Sequence, residues 1–305
     1  MPGPDVRRLV LIMALGMIFS SIYGCAGSRQ SYSDPSHSAV QQPVPAGDYE
    51  TREINVDRDG MNIYGVAHIP SGVEGKLPAV IISHELGATL DRVKGYGETL
   101  AEAGYVTVCF DFCGGGWASR SDGDVLDMSV LTEKADLEAV LDEVMQWEFI
   151  DTDSIYLMGN SQGGYVSTLV AAKRPDDIRA MILIYPGYSL YYDVHAMFDS
   201  ISEIPETDYL LGMRLGRRYF EDIWEQEPYQ KAQEYGKEIL LIHGSRDSVV
   251  PLSYSDRLAD TVDHVEYHIL RGADHGFLGK NFNQAVSYIL DFLNRIQSSS
   301  EGVSK

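Results

Sequence analysis

A glycine-rich turn at residues 159–164 constrains the fold of this chain more than any other segment. It reads G-N-S-Q-G-G and lies between an apolar run, residues 154–158, and a small-residue helix predicted over 165–172. Glycines on both sides of Ser161 let the chain reverse sharply from strand to helix, which holds the hydroxyl clear of the backbone. The pattern predicts a nucleophile at Ser161, and a glycine-rich surface turn that happens to contain serine is the alternative.

Two later segments supply the partners that a serine nucleophile needs. An imidazole must take the hydroxyl proton and an acid must hold the imidazole in the right tautomer. Asp247 follows a buried-type strand over residues 238–242, and His275 follows a strand over 265–270. The carboxyl ends of parallel strands lie along one edge of a sheet, so these side chains can converge with Ser161. The order Ser161, Asp247, His275 is the one that α/β-hydrolases use.

Each partner also has a purely structural interpretation. Asp247 could cap a helix that starts near Ser253, and His275 could be an ordinary surface histidine. Asp274 is the nearest competing acid, but we expect it to point away from its neighbour His275. The other histidines lie in or beside predicted strands, where we expect packing or solvation: His84, His243, His264 and His268.

No catalytic metal and no cofactor are expected. His84 and Glu85 begin like the zinc-protease motif H-E-x-x-H, but Ala88 stands where the second histidine belongs.

These motifs resemble those of the α/β-hydrolase superfamily and, within it, the cinnamoyl/feruloyl esterase group of serine carboxylesterases. Beyond the triad, the resemblance includes F-D-F-x-G-x-G-x-x-S at 110–119 and M-S-V-L-T-E-x-x-D at 128–136, and it covers residues 55–292. It implies an α/β fold with an inserted cap, and an oxyanion hole made by the backbone N–H groups of Leu86 and Gln162.

Glu85 departs from that family pattern, because it stands where the family has glycine. A carboxylate beside an oxyanion site would oppose the negative charge that forms there. Either the side chain points outward or it pairs with a cation such as Arg92 or Arg120. We expect it to point outward, so that Glu85→Gly leaves activity unchanged or raises it.

Hydrophobic patterning independently predicts a mainly parallel, doubly wound sheet of eight strands. Two strands form a hairpin over 53–56 and 61–69, and the other runs are 79–83, 105–110, 154–158, 180–184, 238–242 and 265–270. Helices are predicted over 130–147 and 282–296. Residues 187–236 are too long for a plain crossover and are rich in aromatic residues, which predicts an inserted cap that forms one wall of the substrate pocket. The alternative for each ring is packing within the cap itself.

The amino terminus predicts export and lipidation. Arg7 and Arg8 precede an apolar stretch, residues 9–22, that is short for a membrane span but suits a secretory signal. The stretch leads to Cys25 in a context that resembles a bacterial lipoprotein signal. We therefore expect a domain anchored to the cell envelope through Cys25 and facing the periplasm or the exterior, with ordinary secretion as the alternative.

The predicted organisation has four parts: a signal peptide at 1–24, a Ser/Pro/Gln-rich disordered tether at 25–47, a catalytic domain at 48–298 and a polar tail at 299–305. The formal net charge of −21 argues against nucleic acid and anionic lipid as partners, so we expect membrane contact only through the lipid anchor. Cys109 and Cys113 are expected to be free thiols, with Cys109 buried and Cys113 more exposed.

The sequence thus predicts a serine carboxylic-ester hydrolase whose partner is a small ester, carried for example as a feruloyl, cinnamoyl or acetyl group on plant polysaccharide. Two alternatives remain open. The same machinery would serve a serine peptidase resembling prolyl oligopeptidase, and an inactive hydrolase scaffold would make a surface lipoprotein that only binds a ligand.

Overall fold

The computed structural model describes residues 47–301, with side chains through residue 298. The predicted signal peptide, the lipidation site Cys25 and almost all of the predicted tether lie outside the described residues. A search of the described part for a helix long and apolar enough to cross a membrane finds none.

Eight strands form one sheet in the order β1-β2-β4-β3-β5-β6-β9-β10. The β1–β2 and β2–β4 pairs are antiparallel, and every other neighbouring pair is parallel. The strands are β1 (Tyr49–Arg58), β2 (Met61–Pro70), β3 (Leu77–Ser83), β4 (Val106–Phe110), β5 (Ile150–Asn160), β6 (Ala180–Ile184), β9 (Ile239–Gly244) and β10 (Val265–Leu270). Every predicted strand overlaps one of these, so the predicted α/β-hydrolase fold is confirmed.

Helices connect these strands and pack on the sheet. They are α1 (Lys94–Glu102), α2 (Val130–Met145), α3 (Gln162–Lys173), α4 (Ser189–Met197), α5 (Arg217–Trp224), α6 (Pro228–Tyr235), α7 (Ser253–Thr261) and α8 (Lys280–Glu301), with short 3₁₀ turns at Leu90–Arg92 and Ile201–Glu203. The last helix continues to Glu301, into the segment predicted as a polar tail.

The core has two halves, one on each face of the sheet. Side chains alternate across a strand, so Ile81 of β3 joins the half that contains α2 and α3, while Ile82 joins the half that contains α1 and α8. Both side chains are fully buried. Burial on both faces explains why the central strands are continuous apolar runs.

The segment between β6 and β9 forms structure of its own. It contains α4, a two-stranded hairpin of β7 (Thr207–Leu210) and β8 (Met213–Gly216), then α5 and α6. Most of its rings are buried, including those of Tyr188, Phe198, Tyr219, Phe220 and Tyr229, so their main role is packing. Tyr209 is an exception, with 63% of the residue exposed.

Both described cysteines are free thiols, as predicted. Cys113 is 3% exposed and Cys109 is 0% exposed, which is the predicted order, but Cys113 is also buried and packs in the core with α2. Burial raises the pKa of both thiols, that of Cys113 to about 12, so neither is a reactive thiolate near neutral pH.

The turn from β5 into α3 depends on backbone packed against backbone. A Cβ placed on Gly159 would overlap the Gly163 carbonyl oxygen, and one placed on Gly163 would lie 2.5 Å from the carbonyl oxygen of Ser83 at the end of β3. Side chains at these two positions would force the turn apart.

We therefore expect Gly159→Ala to lower the free energy of unfolding by about 3 kcal/mol or more, because the methyl group has no space and only backbone can move. Gly95→Ala is the control, since a Cβ there would lie 3.5 Å from Phe282 in ordinary contact. That helical change should alter stability by at most about 1 kcal/mol. Urea unfolding measures both, and equal effects would contradict the packing argument.

Candidate active site

Ser161 stands at the junction of β5 and α3 in a strained conformation. Its φ of 51° and ψ of −119° lie outside the regions that residues with a side chain normally occupy. Backbone hydrogen bonds hold it there: Ser161 N donates to Ile184 O at 2.9 Å, and Ser161 O accepts from Gly187 N at 2.7 Å. The residue is 7% exposed, so the hydroxyl sits at a nearly closed surface.

Asp247 and His275 meet at the ends of β9 and β10. His275 Nδ1 lies 2.8 Å from Asp247 Oδ2, while the other carboxylate oxygen accepts the amides of Val249 and Val250 at 2.9 and 2.8 Å. An Nδ1–H that donates to a carboxylate leaves Nε2 as a proton acceptor. Asp274 instead accepts hydrogen bonds from Ser248 and from the His275 amide, so it points away from the imidazole as expected.

The sequence did not reveal that a second histidine contacts the same carboxylate. His243 Nε2 lies 3.1 Å from Asp247 Oδ2 and 3.0 Å from Val250 O. Both neighbours are acceptors, so Nε2 carries the proton, and Nδ1 then accepts from the Ser255 hydroxyl at 2.6 Å. The only available signal was its position at the end of β9, four residues before Asp247.

These contacts keep Asp247 ionised. Burial by itself would raise the pKa of this carboxyl, but hydrogen bonds from His243, His275 and the Val250 and Val249 amides outweigh burial and hold the pKa far below its ordinary value. The carboxylate is therefore charged at any pH where an imidazole titrates.

Ser161 and His275 are linked indirectly, through the adjacent residues Ile184 and Tyr185 at the end of β6. The Tyr185 ring, one residue beyond the Ser161 partner Ile184, lies against the His275 ring with 4.4 Å between centroids. Within the described residues no hydrogen bond links the Ser161 hydroxyl to the imidazole. Such bonds are commonly long without substrate and shorten when it binds.

The predicted oxyanion donors lie at the start of α3 and on the adjoining loop after β3. Gln162 is the first residue of α3, where backbone N–H groups have no partner within the helix. Leu86 follows β3, in a loop braced by His84, whose Nδ1 donates to Glu85 O at 2.8 Å and whose Nε2 accepts from Phe112 N at 3.2 Å. Because Gly163 packs on the end of β3, the two loops meet.

The expectation that the Glu85 side chain points outward is wrong. It is only 11% exposed, and Oε1 lies 3.4 Å from Arg92 Nε. Tyr185 OH and Asn160 Nδ2 approach the same oxygen at 3.3 and 3.5 Å. The 3₁₀ turn after the loop brings Arg92 back over Glu85, so a cation offsets the negative charge of the carboxylate beside the predicted oxyanion donor Leu86.

The ion pair between Glu85 and Arg92 should contribute to the stability of the fold. We expect a coupling free energy of unfolding of about 0.5–1 kcal/mol, a modest value because the Arg92 side chain is 45% exposed. A double-mutant cycle with Glu85→Gln and Arg92→Gln, followed by urea unfolding, measures that coupling. Additive effects, within about 0.3 kcal/mol, would show that the two charges do not interact.

The side chain of Gln162 is clamped from two directions. Its Nε2 donates to Glu133 Oε2 of α2 at 2.7 Å, and its Oε1 accepts from Tyr219 OH of α5 at 2.6 Å. All three residues are at most 1% exposed. A second contact joins the same two helices, from Ser129 Oγ to Asp222 Oδ2 at 2.5 Å.

Glu133 is a buried acid with little to stabilise its charge. Burial raises its pKa well above the ordinary value, the hydrogen bond from Gln162 lowers it only partly, and the nearby charge of Asp136 raises it further. Tyr219 of the inserted segment is thus connected to Gln162, the residue after Ser161, and through Gln162 to the buried Glu133.

If these hydrogen bonds position Gln162, then Tyr219→Phe should lower kcat about tenfold and leave KM within about twofold. The Gln162 side-chain amide would lose one of its two partners and would hold the Gln162 backbone N–H less firmly. Glu133→Gln keeps an acceptor oxygen and should retain most activity, whereas Glu133→Leu should lose it. Tyr209→Phe, at an exposed ring, is the control. A rise in KM with kcat unchanged would contradict a positioning role.

Among the described side chains, no group of three or more His, Cys, Asp or Glu is arranged to hold a metal ion. The expected lack of a metal and a cofactor stays a prediction.

The fold defines an α/β-hydrolase, and the comparisons with known proteins agree with it. The model of the prolyl oligopeptidase family (Peptidase_S9) matches residues 93–299, which is more than half of the chain. The chain therefore belongs to the prolyl oligopeptidase family, and it is a serine hydrolase.

Individual relatives are distant. Mitochondrial palmitoyl-protein thioesterase ABHD10 of Mus musculus is 24% identical over 67% of this chain and 70% of its own length. Monoglyceride lipase of Mus musculus is 30% identical over 48% of this chain and 45% of its own length. The structure of Est1E from Butyrivibrio proteoclasticus with ferulic acid bound superposes with a TM-score of 0.73 at 23% identity, covering 80% of this chain and 99% of Est1E.

Proposed function

We propose that this protein hydrolyses carboxylic esters with Ser161 as nucleophile, His275 as general base and Asp247 as the acid that orients it. The observation that carries the proposal is the Asp247–His275 hydrogen bond of 2.8 Å at the strand ends, together with a serine held at a φ of 51° whose backbone bonds to Ile184, the residue before the ring that packs on His275. A strained serine next to an oriented imidazole suits acyl transfer and has no evident structural use.

The proposed reaction has two steps. His275 Nε2 takes the Ser161 proton as the oxygen attacks the ester carbonyl, and the ionised Asp247 stabilises the imidazolium that forms. Backbone N–H groups of Leu86 and Gln162 bind the oxyanion. His275 then protonates the leaving alcohol, and a water molecule attacks the acyl-enzyme in the same way to release the acid and restore Ser161.

Feruloyl, cinnamoyl or acetyl esters on plant polysaccharide are the proposed substrates. The fold resemblance to Est1E, whose structure holds ferulic acid, supports this choice. Relatives named as a thioesterase and a lipase support acyl–oxygen or acyl–sulfur cleavage in general.

Peptide hydrolysis is the second candidate, because the matching family is that of prolyl oligopeptidase. A purely ligand-binding role loses its main support: the carboxylate of Glu85, the one feature that favoured it, is paired with Arg92.

We also propose that the enzyme works at the bacterial cell envelope, anchored through Cys25 or, failing that, secreted.

The proposal predicts that the full chain hydrolyses methyl ferulate or aryl acetates, and that Ser161→Ala lowers kcat/KM by more than about 1000-fold without unfolding. Ser167→Ala, a buried serine of α3, is the matched control and should retain activity. Assaying the same preparations on a proline-linked peptide anilide separates the two candidates. Cleavage of the anilide alone would establish the peptidase, and equal activity in Ser161→Ala would remove Ser161 from the mechanism.

A further inference from the structure

A cavity of about 410 Å³ lies between the loop after β4 and the β7–β8 hairpin. Neither the proposed triad nor the proposed oxyanion donors line it. Its walls include Gly116, Trp117, Ser119, Asp124, Leu126 and Arg214. Its size suits a small ring and its substituents.

The cavity adjoins the loop that carries Leu86. A Cβ placed on Gly116 would lie 2.5 Å from Ala88 O and 3.1 Å from Gly87 O, so the two loops are in backbone contact. The hairpin reaches the same place, because a Cβ on Gly87 would lie 3.2 Å from the sulfur of Met213. A group bound here would therefore be next to the proposed oxyanion loop.

Trp117 presents its side chain to solvent at the edge of this cavity. The residue is 89% exposed, the largest exposure among the large apolar residues of the described chain. The loop that carries it is nevertheless well braced: Gly114 N donates to Asp122 O at 2.9 Å, and Ser119 Oγ donates to Phe112 O at 3.1 Å. A ring exposed on a braced loop can contact a ligand without any change in the loop backbone.

Two charged side chains line the same cavity, and among the described residues neither forms an ion pair. Arg214 donates to Thr207 Oγ1 at 3.1 and 3.3 Å, and no carboxylate pairs with it among the described residues. Asp124 Oδ1 accepts from Leu126 N at 2.8 Å, and no cation pairs with it in the same part of the chain.

We propose that this cavity is a subsite for a sugar ring in the alcohol part of the substrate, with Trp117 as the stacking platform. A pyranose has an apolar face that packs on an aromatic ring, and edge hydroxyls that require both a donor, here Arg214, and an acceptor, here Asp124. Val125 and Leu126 add apolar surface beside Trp117. An acyl chain or an unsubstituted aromatic ring bound there would still leave Arg214 and Asp124 without a hydrogen-bond partner on the ligand. The inference rests on the proposed esterase function and narrows its substrate.

Kinetics on two esters with one acyl group test the subsite. The full chain and its Trp117→Ala variant are assayed on acetylated xylotriose and on phenyl acetate. The kcat/KM ratio of xylotriose ester to phenyl acetate should fall about tenfold in the variant, mainly through KM. Arg214→Gln should lower the same ratio, and Val73→Ala, a half-exposed apolar residue in the β2–β3 loop, should not. An unchanged ratio in Trp117→Ala, or a loss confined to phenyl acetate, would overturn the proposal.

Direct binding separates failure of the subsite from failure of the esterase. Calorimetry with unesterified xylotriose needs no turnover and is run on the full chain with intact Ser161 and with Trp117→Ala. Binding that weakens about tenfold in the variant supports the subsite even if no ester is hydrolysed, in which case only the esterase proposal falls. Xylotriose binding that is absent, or equal in both proteins, overturns the sugar subsite whatever the esterase assay shows.

Discussion

The left-handed backbone of Ser161 is maintained by contacts that leave no room for side chains around it. Gly159 packs on Gly163, Gly163 packs on the carbonyl at the end of β3, and Gly187 N bonds to Ser161 O. Since β3 and β6 are the neighbours of β5 in the sheet, these contacts draw together the three loops that follow those strands. The sheet order and the strained serine therefore depend on each other. The parallel neighbours of β5 supply the backbone surfaces that hold Ser161 in its strained conformation, and Asp247 and His275 follow β9 and β10 at the same edge of the sheet.

Two buried acids near this edge show how hydrogen bonds determine whether a buried carboxyl group is ionised. Asp247 and Glu133 both lose solvation, which favours the neutral form. Asp247 accepts from two histidines and two backbone amides, and the four donors lower its pKa despite burial. Within the described residues, Glu133 accepts a hydrogen bond only from the side-chain amide of Gln162, and Asp136 lies nearby, so its pKa rises. The ionised acid suits electrostatic support of an imidazolium, whereas the acid with a raised pKa suits a structural link between helices.

Patterns that depend on local geometry could be predicted from the sequence. The glycine spacing around Ser161 predicts the turn, because it follows from backbone sterics. The apolar runs predict the strands, because they follow from burial on both faces of the sheet. Contacts between distant side chains could not be predicted. Tyr219 lies 57 residues beyond Gln162, and His243 reaches Asp247 only because the loop after β9 folds back. The same limit applies to Glu85, because solvation alone favours an outward carboxylate, whereas a 3₁₀ turn places Arg92 over it.

The inserted segment touches both sides of the candidate site through consecutive elements. The β7–β8 hairpin borders the cavity at Trp117, and α5, which begins directly after β8, holds Gln162 through Tyr219. At their junction the backbone of Gly216 packs so closely on the Leu126 carbonyl that a Cβ would overlap it. A shift of the hairpin is therefore resisted by the same close contact that sets the start of α5. The proposed sugar subsite and the placement of Gln162, the proposed oxyanion donor, are therefore mechanically linked, and a change in the hairpin that alters specificity should also alter kcat.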